Sequence, residues 1–344
     1  MPTINRNSPS PHQDSLLVIA LAGEGALALC ELSAQTGALS LIEKVKLPGV
    51  EGHCGGMPLA VNRKGSRIYV AWRGEGLRLF SFELNTPART LTFLAEATLP
   101  ASMCYVMLTS CEQRLLTSSY TGSTIAISSL DGQGKAGEPT MVKDAMHAHC
   151  LVEAPNGLVY ATSLRGDFIQ TYAFDDARNS IRPIARREVP GGTGPRHIVF
   201  SADGTVAYLL SEFTGTLTLF DVVPDTGALK SRQSIDLLPE GEKAWAAELC
   251  LSPAEDFLYA SERNTSQIFV YRLGLNREMR LICAEQAPEC PRAFGIDASG
   301  RVLIILGEKS GEAWTYRIRQ DGALEAAAQL KVGVAPSWVI ATPF

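Results

Sequence analysis

Residues 195–222 read PRHIVFSADGTVAYLLSEFTGTLTLFDV. The stretch holds a short apolar run, a tight turn at Gly204, a run ending in small residues, a polar turn, and a third run of alternating apolar residues. Runs this short, rich in Val, Ile, Leu, Tyr and Phe and bounded by Gly, Asp, Asn and Ser, read as β-strands. The same pattern returns in HCLVEAPNGLVYATSLRGDFIQTYAF from His149 and in AELCLSPAEDFLYASERNTSQIFVYRL from Ala247. Further copies begin at Met57 and Arg292, and a weaker one at Cys104. The first tight turns of the six copies fall at Gly65, Glu112, Gly157, Gly204, Glu255 and Gly300, spaced by 47, 45, 47, 51 and 45 residues. That period is the length of one four-stranded propeller blade.

The chain ends supply a seventh copy. PSWVIATP, residues 336–343, has the form of a first strand, after which the chain stops. SLLVIALAGEGALALCEL, residues 15–32, followed by LSLIEKV, has the form of a second, third and fourth strand with no first strand before them. Joining the two halves removes two exposed sheet edges. The expected fold is therefore all-β: a seven-bladed β-propeller of four-stranded blades, closed by the C-terminal strand joining the N-terminal blade. It would occupy residues 15–344 as one domain, after a flexible tail at 1–14.

Composition narrows the function classes. Hydrophobic residues make up 46% of the 344 and charged ones 19%, the profile of a folded globular chain. A formal net charge of −5 without a basic run argues against nucleic acid as partner. No stretch of 18 apolar residues predicts a membrane span, and the polar N-terminus lacks the apolar core of a secretory signal. The eight cysteines include no C-x-x-C pair and sit mostly in apolar runs, which predicts reduced thiols, no zinc site and a cytoplasmic location. No carboxylate cluster suggests a metal, and no cofactor is expected. A monomer or weak homo-oligomer is expected.

The repeat also predicts which residues share a rim. The first two strands of a blade are antiparallel across the anchor turn, so positions eight before and eight after it lie at one end of the hairpin. Eight before gives Met57, Cys104, His149, Arg196, Ala247 and Arg292, with Ser337 from the split blade. Eight after gives Arg73, Tyr120, Arg165, Glu212, Arg263 and Glu308, with Ala22. His197 and Lys309 stand one step along. Each polar residue taken alone reads as a turn or ion-pair residue. Five arginines and a histidine in matched register instead predict a site for a small anion, since guanidinium groups recognise carboxylate and phosphate.

At these residues the chain resembles the bacterial propeller lactonase family, typified by cycloisomerase-type 6-phosphogluconolactonase and including fungal carboxymuconate lactonizing enzymes. The resemblance runs from about Ser15 to the C-terminus and is strongest in GTGPRHIVFSADGTVAYLLSE, LSPAEDFLYASERNTS and PRAFGIDASGRVLIILGEKSGE. It implies hydrolysis of a sugar lactone, first 6-phospho-D-glucono-1,5-lactone of the pentose phosphate pathway. Its alternatives are a cycloisomerase or hydrolase of a carboxymuconolactone or aldarolactone, and a non-catalytic binding scaffold. The site proposed for the fungal branch, a His, an Arg, a Glu and a further Arg around the channel mouth, falls by motif on His149, Arg196, Glu212 and Arg263. His149 or Glu212 would be the general base, Arg196 the oxyanion partner, and Arg263, with Arg292 or Lys309, would hold the phosphate. His197, Arg165 and Arg73 would complete the substrate contacts. The divergent segment GVEGHCGGMP, residues 49–58, has no counterpart in the resemblance.

Overall fold

Inner strands must be apolar on both faces and outer strands on one, and the burial follows that rule. The second strand of blade five, Val206–Ser211, is buried throughout, whereas its fourth, Leu229–Asp236, is buried only at Leu229 and exposed or half-buried beyond it. The computed structural model describes residues 14–142 and 145–343. Among them are 28 strands, numbered here in chain order, and no α-helix. Residues 1–13 of the expected tail lie outside the described residues. Asp14 accepts a hydrogen bond from the backbone of Ala34 at 3.0 Å.

The strands form seven antiparallel four-stranded sheets. Six are consecutive in the chain. The seventh runs β28 (Pro336–Pro343), β1 (Ser15–Leu21), β2 (Ala26–Leu32), β3 (Leu39–Lys46), with Ser15 opposite Pro343 and Ile19 opposite Val339. The closure read from the chain ends is thus the one observed. The innermost strands are β28, β4 (Leu59–Val61), β8 (Tyr105–Leu108), β12 (Ala148–Glu153), β16 (Pro195–Phe200), β20 (Ala246–Leu251) and β24 (Pro291–Ile296). Each packs against the next in that order, and β24 returns to β28, so the ring closes. Apolar clusters fill the wedges between neighbouring blades, as between blades one and two where Trp72, Phe80 and Phe82 are fully buried.

One irregularity positions the site. Five of the seven inner strands carry a register shift at the predicted rim position: at His149, Arg196, Ala247 and Arg292, and at Ser337 on β28. A bulge leaves its residue outside the ladder and re-aims its side chain. Hydroxyls of neighbouring blades hold two of these bulges. Ser118 donates to the His149 carbonyl at 2.7 Å, and Thr162 to the Arg196 carbonyl at 2.7 Å.

Candidate active site

Because a bulge releases the ladder locally, two successive residues of one strand can both turn toward the propeller axis. The first set is the predicted ring. The second stands one residue later and includes His197, Glu248 and Trp338 on bulged strands, with Tyr105 at the start of β8. Their rings meet across the axis although they come from different blades: Tyr105 lies 5.4 Å from Trp338 and 5.7 Å from His197, and His197 lies 6.2 Å from Trp338, centroid to centroid. Above them is a small space of about 10 Å³ bordered by His149, Arg196, Arg73, Arg292, Cys104, Glu248 and Ser337.

The buried charges are tied in one network. Glu212 has Arg196 Nε at 2.9 Å from one oxygen, at an angle that makes an ion pair rather than a hydrogen bond. Its other oxygen accepts from Trp245 Nε1 at 3.1 Å and faces Arg263 Nη2 at 3.3 Å. Burial by itself would raise the Glu212 carboxyl, but the Arg196 and Arg263 charges and the bond from Trp245 outweigh it and hold it below the ordinary glutamate value. Arg263 donates to the Trp245 and Ala246 carbonyls and stacks on the Trp245 ring at 3.9 Å. Burial and the neighbouring Arg196 lower its guanidinium to about 10.

His197 links this network to Glu248. Arg196 Nη1 donates to His197 Nε2 at 2.9 Å and to the Ala247 carbonyl, so His197 carries its proton on Nδ1, 2.5 Å from Glu248 Oε1. Burial depresses the His197 pKa, Glu248 opposes it, Arg196 adds to it, and the net direction is down. His149 differs. Its Nδ1 is buried without a hydrogen-bond partner among the described residues, and its ring leans toward Tyr120 and His197. Burial first, then the Arg196, His197, Arg292 and Arg73 charges, push it well below the ordinary histidine value, so this imidazole is neutral at pH 7.

The structure therefore brings His149, Arg196, Arg73 and Arg292 around the free space. It sets Glu212 and Arg263 behind Arg196 as its supports, and His197 below the ring. Two predicted residues stand apart. Arg165 is exposed on its loop, with no hydrogen bond or ion pair among the described residues. Lys309 is an exposed rim residue 3.9 Å from Glu289. Both lie in turns where a step in register moves a side chain off the channel. Arg292 pairs with Glu308 at 2.6 Å, whereas Arg73 has no carboxylate partner among the described residues. Glu248, Trp245 and Trp338 were missed. The step that singled out His197 beside Arg196 finds Glu248 beside Ala247 and Trp338 beside Ser337.

The closed propeller thus gathers a buried imidazole and several guanidinium groups at one mouth. The chain belongs to the family described as lactonase, 7-bladed beta-propeller, whose sequence model matches residues 20–341, and it is a lactone-hydrolysing enzyme. It is 29% identical to a 6-phosphogluconolactonase of Pectobacterium atrosepticum over 90% of this chain and 93% of that one. It is 30% identical to a 6-phosphogluconolactonase of Sodalis glossinidius over 88% and 92%. The solved periplasmic gluconolactonase of Pseudomonas aeruginosa superposes with a TM-score of 0.85 at 21% identity, covering 96% of this chain and 99% of that one, a likeness of fold.

Proposed function

We propose that this protein hydrolyses 6-phospho-D-glucono-1,5-lactone to 6-phosphogluconate, as a single-domain cytoplasmic enzyme of the pentose phosphate pathway, monomeric or weakly self-associating. The observation that carries the reading is the pairing, at one small space, of a neutral imidazole whose Nδ1 lacks a partner among the described residues and a guanidinium with a nitrogen none of them engages. His149 is the general base: it takes a proton from the water that attacks the lactone carbonyl. Arg196 has Nη1 on His197 and Ala247 and Nε beside Glu212, which leaves Nη2 to face the oxyanion of the tetrahedral intermediate. The ring C–O bond then breaks, and the leaving oxygen takes the proton back from His149. Glu212, Arg263, His197 and Glu248 act through Arg196 and are positioning residues. Arg73 and Arg292 supply charge for the substrate's anionic group. In formal charges the four arginines exceed Glu212, Glu248 and Glu308 by one, which suits an acidic lactone. The identity with 6-phosphogluconolactonases over most of both chains favours the phosphosugar.

The test is proton release from fresh 6-phosphogluconolactone, corrected for spontaneous opening. Arg196→Ala should lower kcat/KM by about 10²–10³-fold, as for loss of an oxyanion donor. His149→Ala should lower it by about 10²-fold or more. Full activity in both variants would place the chemistry elsewhere.

A further inference from the structure

The link between β3 and β4, residues 47–58, carries the GVEGHCGGMP segment that the family reading leaves unused. It crosses the mouth. The Gly55 carbonyl accepts from Arg292 Nη2 at 2.7 Å and from Arg73 Nη1 at 3.2 Å. Two guanidinium groups from different blades thus converge on one neutral oxygen, a geometry better matched to an oxyanion. Glycine permits the approach. Gly56 has φ +130°, and a Cβ there would lie 2.8 Å from Arg292 Nη2.

Beneath this segment the free space of about 10 Å³ holds one water at most, so no sugar lactone enters while it stays in place. Its other polar ties are few, and Val50 and Cys54 pack, partly buried, on the apolar cluster between blades one and two. Cys54 donates its backbone N–H to the Ala22 carbonyl at 2.9 Å, and Arg78 holds the Pro48 and Gly49 carbonyls. Residues 51–53 and 55 are exposed, and nothing lies within 4 Å of where Gly52 or Gly55 would carry a Cβ.

We propose that residues 49–56 form a gating strap whose Gly55 carbonyl occupies the anion position between Arg73 and Arg292, and that the substrate's carboxylate or phosphate displaces it. The proposal rests on the lactonase reading of this mouth and deepens it, since it assigns Arg73 and Arg292 as the clamp for the anion. The strap also selects. A neutral lactone does not compete for two guanidinium groups and leaves the mouth shut.

Cys54 lies on the strap and is half-buried in its closed position, so its alkylation reads the strap directly. The experiment uses the full chain with the exposed Cys111 replaced, Cys111→Ser, and follows Cys54 labelling by iodoacetamide through peptide mass spectrometry. Inorganic phosphate and gluconate are the probes, one for each kind of anion. Saturation with either should speed Cys54 labelling by about threefold or more, as expected for local opening. Acceleration by phosphate alone assigns a phosphate clamp, and by gluconate alone a carboxylate clamp. In Arg73→Ala the anion effect should vanish while basal labelling rises. Labelling that stays unchanged or slows with both anions overturns the strap. Lactone hydrolysis measured in parallel separates the two readings: full hydrolysis with unmoved Cys54 labelling sinks the strap alone. Anion-driven labelling without hydrolysis of any acidic lactone sinks the lactonase assignment alone.

Discussion

Two imidazoles, His149 and His197, are held neutral by burial among arginines, and this links the site to the stability of the fold. In the unfolded chain both regain an ordinary histidine pKa near 6.5. The folded values lie lower. As pH falls through about 6.5 the unfolded state therefore binds protons that the folded state refuses, and stability is lost in that window, not gained. The expected slope approaches about 1.4 kcal/mol per pH unit for each histidine. Urea unfolding between pH 7 and 5.5 checks it. His149→Gln should cut the slope toward half, and a flat profile in the native chain would contradict the buried neutral state. The residue types of this site were legible from repeat register, because matched positions in identical hairpins must converge. Their protonation was not. A histidine chosen for a pKa near neutrality is displaced from it by burial, and burial depends on six other blades.

At the scale of the element, the anchor turns show how local sequence and ring assembly trade against each other. Four anchors are glycines with φ between +69° and +77°, a region that glycine enters without strain. The remaining two, Glu112 and Glu255, adopt φ +58° and +57°. Spacing alone placed them as anchors despite the missing glycine, and the backbone agrees. What the spacing could not show is the compensation. Glu112 Oε1 accepts from the backbone N–H of Arg63 in the turn of the preceding blade at 2.5 Å, and Glu255 does the same for Ala202. Glu112→Gly loses this bond but relieves the left-handed strain. Glu112→Ala loses the bond and keeps the strain, so it should be the less stable variant by about 1 kcal/mol. Urea midpoints of the two variants decide the point, and an alanine variant as stable as the glycine one would show that the turn carries no strain. The bulges at the rim were harder to read, since a bulge leaves the apolar alternation on either side nearly intact. Two successive polar residues mark the bulge at Arg196-His197, but Ala247-Glu248, Arg292-Ala293 and Ser337-Trp338 carry no such pair and bulge all the same.

At the scale of the molecule, blade one is shared between the two ends of the chain, and the shared strand also supplies Ser337 and Trp338 to the mouth. Closure and site formation are thus one event. Ser337 accepts from the Met57 backbone at 3.0 Å, which fastens the strap's end to β28, and Trp338 packs on Tyr105 and His197. The antiparallel pairing that sets Ser15 opposite Pro343 makes a permuted chain possible. In it β28 precedes β1 through a short hairpin linker, and the chain ends after β27 (Leu324–Lys331). Every blade is then contiguous and its four-stranded ladder is kept, but no strand crosses the seam. The native ring opens only if β28 is stripped from β1 along its whole ladder. The permuted ring opens by parting blades seven and one, which meet through side chains. Its unfolding rate should therefore rise by about tenfold or more, while anion binding at the mouth is retained. Stopped-flow unfolding in urea measures the rate. An unchanged rate would mean that the seam is not where the propeller yields.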